Sequence, residues 1–487
     1  MTNEFLIRYI EDFKNPSSLV ESSCKNWNTV AKNQLKRKIE NYEDVYEDKM
    51  KKTKGFEIGF QNGSKAYFLF VPKTISVFDL HSEIQESFME GIKEHNNMSF
   101  NVMGLKDSHQ EILVSALTSA VSLYEWKYPR YGKKSKGKRK EKKEFGFYAT
   151  IDGVDDLIKS GEALAEGTNL VRTLASTPTN FMKSRDLADW ARKIAHRLRG
   201  AKFNYIGENK LKELGAGCFL AVIQGTKGSD GGIAHISYKT RAKEAKNIAI
   251  VGKGVVFDTG GYDIKTDCSM DGMHRDMTGA AVSLALFQAL VKSKVKANID
   301  LYLAIGENLI SETAYKPNDV VVAMNGTSVE VTNTDAEGRM LLSDTLIYAS
   351  QADPDLIIDF ATLTGTASEA IGNRYSCVFS NEYELGLKAV EAGRQSGERV
   401  WNFPTSDDFT RTLESDVADI AQCSSEGNAD HINAVCFLKH FAGDTPWIHV
   451  DLCSEICEDG LGMVDTEVTG FGVRWGFEFI QKIIKEE

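Results

Sequence analysis

Residues 251–281 read VGKGVVFDTGGYDIKTDCSMDGMHRDMTGAA, and their pattern is the most informative of the chain. The apolar run 247–251 that leads into this segment predicts a buried strand, and the apolar residues 279–292 at its far end predict a helix. Glycines and charged residues lie between them, a composition typical of the loops that form sites at the carboxyl edge of an α/β sheet. The segment therefore predicts a strand–loop–helix unit with a functional site in its loop.

The same alternation continues on both sides of this segment. Near-continuous apolar runs alternate with helical patterns, which predicts a sheet covered by helices on both faces. We expect a larger C-terminal α/β/α catalytic domain with a mixed, mostly parallel central sheet. Asn325-Gly326 predicts a hairpin with a type I′ turn. The further predicted strands are 218–225, 299–305, 356–363 and 447–452, and the further predicted helices are 184–198 and 341–351.

The first part of the chain reads as a separate, smaller α/β domain. Short apolar runs alternate there with amphipathic stretches, and residues 110–126 predict a helix with one apolar face. We expect an N-terminal domain over 1–157 and the catalytic domain over 158–487. Residues 127–143 hold ten Lys or Arg against one acid, which predicts an exposed loop. A nucleic-acid tail or a localisation signal is the alternative interpretation of this run.

Composition excludes several classes of protein. The 487 residues are 42% hydrophobic and carry a net charge of −11, which is typical of a globular protein and disfavours nucleic acid as the main partner. No uncharged stretch reaches the ~18 residues of a membrane span, and the N-terminus has no signal-peptide pattern. The eight scattered cysteines indicate reduced thiols rather than a disulfide framework. We expect a cytoplasmic protein without membrane contact.

Acidic residues mark the candidate site. Asp258, Asp276, Asp335 and Glu337 stand among glycines and basic residues, and four converging carboxylates would repel one another unless cations neutralise them. Two bridged divalent metals would supply that charge and would activate water for hydrolysis. A general acid/base pair of carboxylates is the other interpretation. No HExxH, GxGxxG or phosphate-loop motif occurs.

Two motifs resemble one known family. NTDAEGR at 333–339 is identified as the signature of the leucyl aminopeptidases, which are cytosolic two-metal exopeptidases, and VGKGVVFD at 251–258 followed by MHRDM at 273–277 resembles that family's upstream metal segment. The segments GGYDIK, GENLI and WIHVDLC are most similar to the peptidase B branch of that family. The resemblance covers the chain from about residue 169 to its C-terminus.

The resemblance implies a ligand set and a mechanism. It implies two divalent ions, Zn²⁺ or Mn²⁺ with Mg²⁺ and Co²⁺ as alternatives, and a bicarbonate ion that Arg339 holds as general base. Lys265 would donate to the oxyanion of the tetrahedral intermediate. The implied metal ligands are Lys253, Asp258, Asp276, Asp335 and Glu337.

The resemblance also implies a substrate and an assembly. The substrates would be peptides with a free N-terminus that begin with Leu or Met, and the enzyme would be a homohexamer, a dimer of trimers. Two other hypotheses stay open: a two-metal phosphoryl hydrolase, and a non-catalytic relative that binds nucleic acid through residues 127–143. The implied side-chain pocket consists of Met273, Asn333, Ala336, Thr362 and Gly365, with Ile456 less securely aligned.

Overall fold

The computed structural model describes residues 2–9, 54–59, 64–132, 142–228, 230–424 and 428–485, together with positions 32 and 36. The chain divides into two compact units. One consists of Met1–Ala165 with Asp459–Thr466, and the other of Glu166–Glu458 with Glu467–Glu487. None of the helices in the described residues combines the length and the apolar character that crossing a membrane requires.

The first unit is built on a five-stranded sheet in the order β2-β3-β1-β4-β5. β2 is antiparallel to β3, and the other neighbours are parallel. Phenylalanine and aliphatic side chains of β1 and β3 form its core, as the apolar runs predict. The strands are β1 (Asn3–Tyr9), β2 (Lys54–Gly59), β3 (Lys65–Val71), β4 (Asn97–Asn101) and β5 (Glu144–Tyr148).

Two helices of this unit connect the parallel strands. α1 (Val77–Glu94) begins after Ser76, whose hydroxyl accepts a hydrogen bond from the backbone N–H of Asp79. α2 (Asp107–Leu123) confirms the helix predicted over 110–126. The chain passes into the second unit within α3 (Val154–Ala175).

The Lys-rich run lies largely outside the described residues, since 133–141 are not described. One member contradicts the prediction of an exposed loop. Lys143 is buried, and its ammonium group donates to the carbonyl oxygens of Ile92, Lys93 and His95 at 2.5, 3.1 and 2.8 Å. Because the last carbonyls of a helix have no partner within the helix, a buried lysine stabilises the end of α1.

The second unit contains an eight-stranded sheet in the order β14-β13-β16-β12-β8-β9-β7-β6. Its centre, from β16 through β12 and β8 to β9, is parallel, and antiparallel pairs flank it, so the predicted mixed sheet is confirmed. The strands are β6 (Ala201–Gly207), β7 (Gly232–Tyr238), β8 (Asn247–Asp258), β9 (Asn298–Asn308), β12 (Leu356–Ala361), β13 (Ser376–Ser380), β14 (Val400–Asn402) and β16 (Trp447–Asp451).

Helices of the second unit include those predicted over 184–198, 279–292 and 341–351. The run 218–225, predicted as a strand, is instead a short helix, since an apolar run of this length fits either element. The helices are α4 (Ser184–Arg197), α5 (Glu208–Leu214), α6 (Gly217–Ile223), α7 (Thr278–Lys292), α8 (Glu337–Ser350), α9 (Gly365–Ile371), α10 (Tyr383–Ser396), α11 (Asp407–Thr410), α12 (Asp430–Ala442) and α13 (Val473–Lys485).

The predicted hairpin forms, but with a different turn. β10 (Val320–Val322) pairs antiparallel with β11 (Ser328–Glu330), and β11 pairs in parallel with β15 (Ile420–Ala421). Gly326 has φ +92° whereas Asn325 is not among the residues with positive φ. A type I′ turn needs positive φ at both positions, so the turn is of the type I kind closed by a glycine bulge.

Close approach of α7 to the sheet depends on two glycines. A Cβ atom on Gly252 of β8 would lie 2.7 Å from the Cα atom of Ala280, and one on Gly279 of α7 would lie 2.2 Å from the carbonyl oxygen of Phe360. A side chain at either glycine would collide with the backbone of the facing element. The glycines therefore allow α7 to pack closely against the middle of β8 and the carboxyl end of β12.

We predict that Gly279→Ala destabilises the second unit. The added methyl group meets a backbone oxygen rather than a flexible side chain, so α7 must shift, at a cost of about 1–3 kcal/mol. Urea unfolding followed by circular dichroism measures this loss. Gly146→Ala is the control, because a Cβ atom there meets nothing within 4 Å. An unchanged midpoint for Gly279→Ala would contradict the close packing of α7.

Candidate metal centre

A bulge in β8 brings Lys253 and Asp258 to the same face of the sheet. In a regular strand, residues five apart point to opposite faces. β8 pairs with β9 at Val255–Gly306 and next at Asp258–Asn308, so three steps along β8 match two steps along β9. The extra residue returns Asp258 to the face of Lys253, as bulges beside functional sites commonly do.

The glycine turn after β8 carries a second lysine back to the end of the strand. Gly260 and Gly261 have φ values of +84° and +66°, which favour glycine, and the backbone N–H of Gly260 donates to Asp258 Oδ1 at 2.8 Å. The backbone N–H of Lys265 then donates to the carbonyl oxygen of Thr259 at 3.0 Å. Lys265 is thereby placed beside Asp258.

Hydrogen bonds join this loop to the segment that precedes α8. The hydroxyl of Thr334 donates to the carbonyl oxygen of Gly260 at 2.7 Å, and its backbone N–H donates to Asp263 Oδ2 at 2.7 Å. Thr334 is fully buried. Because Asp335 is the next residue and Glu337 follows three residues after Thr334, these bonds help to place both carboxylates in the site.

Four carboxylates and two ammonium groups meet here. Lys253 Nζ lies 2.6 Å from Asp276 Oδ1 and 2.9 Å from Glu337 Oε1. Lys265 Nζ lies 2.9 Å from Asp258 Oδ2 and 2.5 Å from Asp335 Oδ1. The structure thus brings together all five predicted metal ligands and the predicted oxyanion donor.

Neighbouring polar groups orient the carboxylates. Asn308 Nδ2 donates to Asp258 Oδ1 at 2.8 Å and to the carbonyl oxygen of Thr334 at 3.0 Å. The hydroxyl of Thr362 donates to Asp276 Oδ1 at 2.8 Å, and its carbonyl oxygen accepts from Lys253 Nζ at 2.9 Å. Such partners hold carboxylate ligands in orientation.

The donor set fits divalent cations. Asp258, Asp335 and Glu337 each offer an oxygen, and these three atoms lie within 4.8 Å of one another. Oδ2 of Asp276 is buried and has no hydrogen-bond partner within the described part of the chain. A buried, unpaired carboxylate oxygen is costly unless a cation or a donor satisfies it. Hard cations such as Mn²⁺ and Mg²⁺ prefer oxygen donors, and Zn²⁺ also accepts nitrogen.

Burial and mutual repulsion raise the pKa values of the acids. The pKa of Asp276 is raised by burial and by Glu337, although Lys253 opposes the shift. Burial and Asp258 raise the pKa of Glu337, and the same two causes raise the pKa of Asp335 to about 7. The acids therefore hold protons more strongly than exposed carboxylates do, as expected where negative charges crowd together.

The pKa values of the two lysines are raised, although burial alone would lower them. Burial lowers the pKa of Lys253, but Asp276, Glu337 and Asp258 outweigh it, so the pKa is raised. The pKa of Lys265 shows the same balance: burial lowers it, but Asp258, Glu337 and Asp335 outweigh the burial, so the pKa is raised. Both amines are cationic in this arrangement. If these amines were neutral, other positive charges would be needed to balance the carboxylates.

Arg339 lies on the first turn of α8 and is buried. Its Nη2 atom lies 2.9 Å from both carboxylate oxygens of Asp430, and Nη1 donates to the carbonyl oxygen of Gln422 at 3.1 Å. The pKa of Arg339 is raised: burial opposes its charge, but Cys423, Asp430 and Glu337 outweigh the burial.

Most predicted pocket residues adjoin these charges. Asn333 Oδ1 accepts from the backbone N–H of Asp335 at 2.8 Å, and Ala336 directly precedes Glu337. The carbonyl oxygen of Met273 accepts from the backbone N–H of Asp276 at 3.3 Å. Thr362 contacts Asp276 as described, Gly365 is exposed at the start of α9, and Ile456 is half-buried after the short turn Cys453–Glu455.

Several contributing residues carry no signal in the sequence. Asn308 lies in GENLI, after the predicted strand 299–305, and Thr334 lies inside the NTDAEGR motif; neither has an assigned role. Asp430 lies 91 residues from Arg339 along the chain and matches no pattern. A polar residue that ends a buried strand, such as Asn308, is the one signal that could have been followed, since carboxyl ends of strands form sites.

Comparisons with known proteins agree with the resemblance. The profile described as the catalytic domain of the cytosol aminopeptidase family matches residues 169–475. The chain is similar to a probable cytosol aminopeptidase of Stutzerimonas stutzeri, 39% identical over 63% of this chain and 62% of that protein. It is also similar to one of Roseiflexus castenholzii, 34% identical over 78% of each chain. The match thus spans less than two thirds of the length of the Stutzerimonas protein and more than two thirds of the length of the Roseiflexus protein.

We predict that divalent cations stabilise the protein, and more so as the pH rises. With its pKa raised to about 7, Asp335 holds a proton in the folded, metal-free chain, so stability falls as the pH rises from about 4 through 7. A cation must displace that proton, which weakens binding at pH 5.5 on the order of tenfold relative to pH 8. Thermal unfolding with and without Mn²⁺ or Zn²⁺ at the two pH values measures the difference.

Asp335→Asn should lose most of the metal-induced rise in midpoint. Asp444→Asn, which removes an exposed carboxylate, should keep the wild-type rise. An equal rise at both pH values in the wild type, or an unchanged rise in Asp335→Asn, would count against this metal centre.

Proposed function

The chain belongs to the cytosol aminopeptidase family, and on this premise we propose that it is a metal-dependent aminopeptidase that releases the N-terminal residue of peptides. The observation that carries the proposal is the convergence of Asp258, Asp335 and Glu337, whose oxygens lie within 4.8 Å of one another beside one buried and one partly exposed lysine. Such a cluster is typical of a two-metal hydrolytic site.

In this proposal five side chains hold two divalent ions. Asp258 and Glu337 would serve both ions, Asp335 would complete one site, and Lys253 with Asp276 would complete the other. Bound metals would supply an activated water and polarise the scissile carbonyl. The crowding of negative charge that contributes to the raised pKa values of the acids also favours cation binding, because two dications would replace the protons and ammonium charges that balance the acids in the metal-free chain. The same added charge would let Lys253 bind as a neutral amine.

Lys265 acts on the substrate. It is the less buried of the two lysines, with 13% of its side chain exposed, and metals on Asp258 and Asp335 would replace it as their charge partner. Its ammonium group would then donate to the oxyanion that forms at the scissile carbonyl. Positive charge at this point stabilises the transition state more than the neutral ground state.

Arg339 holds the anion that receives the proton from water. A guanidinium group binds a planar oxyanion through two N–H donors, and the resemblance names bicarbonate as that anion. Nε of Arg339 is buried without a hydrogen-bond partner among the described residues, which leaves a donor to satisfy. A carboxylate side chain, that of Asp430, already contacts the same guanidinium group.

The proposed substrates are peptides with a free N-terminus and Leu or Met in first position. The proposed lining is mostly small or apolar: Met273, Ala336, Thr362 and Gly365, with Asn333 at its exposed edge. Such a pocket favours aliphatic side chains and leaves charged ones unpaired. The proposed assembly is a homohexamer in the cytoplasm. Size-exclusion chromatography with light scattering tests the assembly, because a measured mass equal to the 54.0 kDa of one chain would contradict it.

We predict that the purified protein with Mn²⁺ or Zn²⁺ hydrolyses leucine amide and not N-acetyl-leucine amide. Lys265→Met should lower kcat on the order of 10²- to 10³-fold, because an oxyanion donor is lost. Lys239→Met is the matched control, since Lys239 is exposed and pairs only with Asp300 among the contacts described. Release of the amine product measures both rates.

The same assay separates the alternatives. No turnover at any metal loading by folded protein would refute the aminopeptidase, and turnover of a phosphoester but not of a peptide would favour the phosphoryl hydrolase. Salt-sensitive nucleic-acid binding by a protein without turnover would favour the non-catalytic relative.

We predict that kcat/KM for leucine and methionine amides exceeds that for glutamate and lysine amides by at least about tenfold, because an unpaired charge in an apolar pocket costs more than a missing methylene group. Met273→Ala should reduce the advantage of leucine over alanine. A preference for a charged first residue would show that the proposed lining is wrong.

A further inference from the structure

The guanidinium group of Arg339 has a carboxylate of this chain as its partner. Both oxygens of Asp430 lie 2.9 Å from Nη2, and Arg339 is only 2% exposed. Asp430 keeps 34% of its side chain exposed, so one side of the carboxylate reaches solvent. The carboxylate of Asp430 therefore contacts the guanidinium group to which the resemblance assigns a bicarbonate ion.

This ion pair lies next to the metal centre. Arg339 follows Glu337 by two residues on the first turn of α8, and Glu337 raises the pKa of Arg339, which shows that the two charges interact. The backbone N–H of His431 donates to the hydroxyl of Thr366 at 2.9 Å. Thr366 directly follows the proposed pocket residue Gly365, so Asp430 is anchored between Arg339 and the proposed substrate segment.

The backbone before Asp430 holds an unusual conformation. Ala429 has φ +51° and ψ +36°, the left-handed region that residues with a Cβ atom rarely adopt. Non-glycine residues in this region cluster at functional sites, where surrounding contacts hold them. Asp430 is the first residue of α12, where the helix dipole favours its negative charge.

We propose that the carboxylate of Asp430 is the resident oxyanion of Arg339 and the proton acceptor in peptide hydrolysis, so that this chain needs no bicarbonate. The inference rests on the proposed aminopeptidase function. A carboxylate and bicarbonate are both planar oxyanions that a guanidinium group binds, but a tethered group is present at a fixed, high effective concentration.

The proton balance is simple. As the oxygen of the attacking water bonds to the carbonyl carbon, one of its protons passes to the Asp430 carboxylate. When the C–N bond breaks, the same proton passes from Asp430 to the nitrogen of the leaving amine. Asp430 returns to its ionised form, and no further reactant is consumed.

The main alternative is that Asp430 only neutralises the buried charge of Arg339. Rescue by bicarbonate distinguishes the two roles. If Asp430 is the proton acceptor, dissolved bicarbonate can take its place and restore the rate, whereas we expect no such rescue if Asp430 is only a charge partner. The variants are Asp430→Asn, which keeps the shape, and Asp430→Gly, which opens space for an anion. Asp407→Asn is the control, because Asp407 is also the first residue of a helix and its side chain is 95% exposed.

Rates are measured in CO₂-free buffer with and without added bicarbonate. We expect the wild type and Asp407→Asn to be unaffected by bicarbonate. Asp430→Asn should lose on the order of 100-fold in kcat with KM little changed, and bicarbonate should restore Asp430→Gly at least about tenfold. Wild-type activity that requires bicarbonate, or an unchanged kcat in Asp430→Asn, would overturn the proposal. Loss of activity that bicarbonate does not restore would show that Asp430 is a charge partner only.

Binding of ¹³C-labelled bicarbonate, followed by NMR line broadening, tests the same point without turnover. Folded Asp430→Gly should bind the ion and gain thermal stability from it, whereas the wild type should not. Binding by the wild type would overturn the proposal. If the wild type shows no peptidase activity with any metal, the proposed function fails, and this experiment still decides which anion Arg339 holds. Asp430→Asn serves if Asp430→Gly does not fold.

Discussion

The buried charges at the carboxyl end of β8 set the constraint on which the second unit depends. Asp258, Asp276 and Glu337 are almost fully removed from water, and none could stay ionised there without positive partners. Lys253 and Lys265 supply two such charges in the metal-free chain. Four acids against two lysines leave a deficit of positive charge, which protons or divalent cations must fill. Stability and metal binding are therefore linked through the same groups.

Backbone geometry, rather than side-chain identity alone, creates that cluster. The bulge in β8 turns Asp258 to the face of Lys253, and the glycine turn returns Lys265 to the strand end. Thr334 ties the segment before α8 to this turn. The bulge is essential, because a carboxylate displaced by one residue along β8 would face the opposite side of the sheet. The close packing of α7 on β8 gives these loops a rigid base.

The sequence predicts the layers of this unit and the membership of the cluster, but not how its members are held. Long apolar runs such as 247–251 and 279–292 identify a strand and a helix, whereas 218–225 is too short to distinguish them and proves helical. The resemblance of the motif at 333–339 implies two of the proposed ligands, Asp335 and Glu337. The bulge leaves no trace in hydrophobicity, and Lys143 looks like surface charge although it caps α1. Asp430 reaches Arg339 only through the tertiary fold, so no local pattern identifies it.

Some of the unsatisfied and strained groups of the described residues lie at this one place. Oδ2 of Asp276 and Nε of Arg339 are buried without hydrogen-bond partners among the described residues, and Ala429 holds a left-handed backbone. Each such feature costs of order 1–3 kcal/mol, so the well-packed sheet must compensate for them. A purely structural cluster would gain from pairing these atoms within the protein. The unpaired oxygen of Asp276 instead favours a cation that binds after folding, whereas Asp430 already supplies the anion beside Arg339.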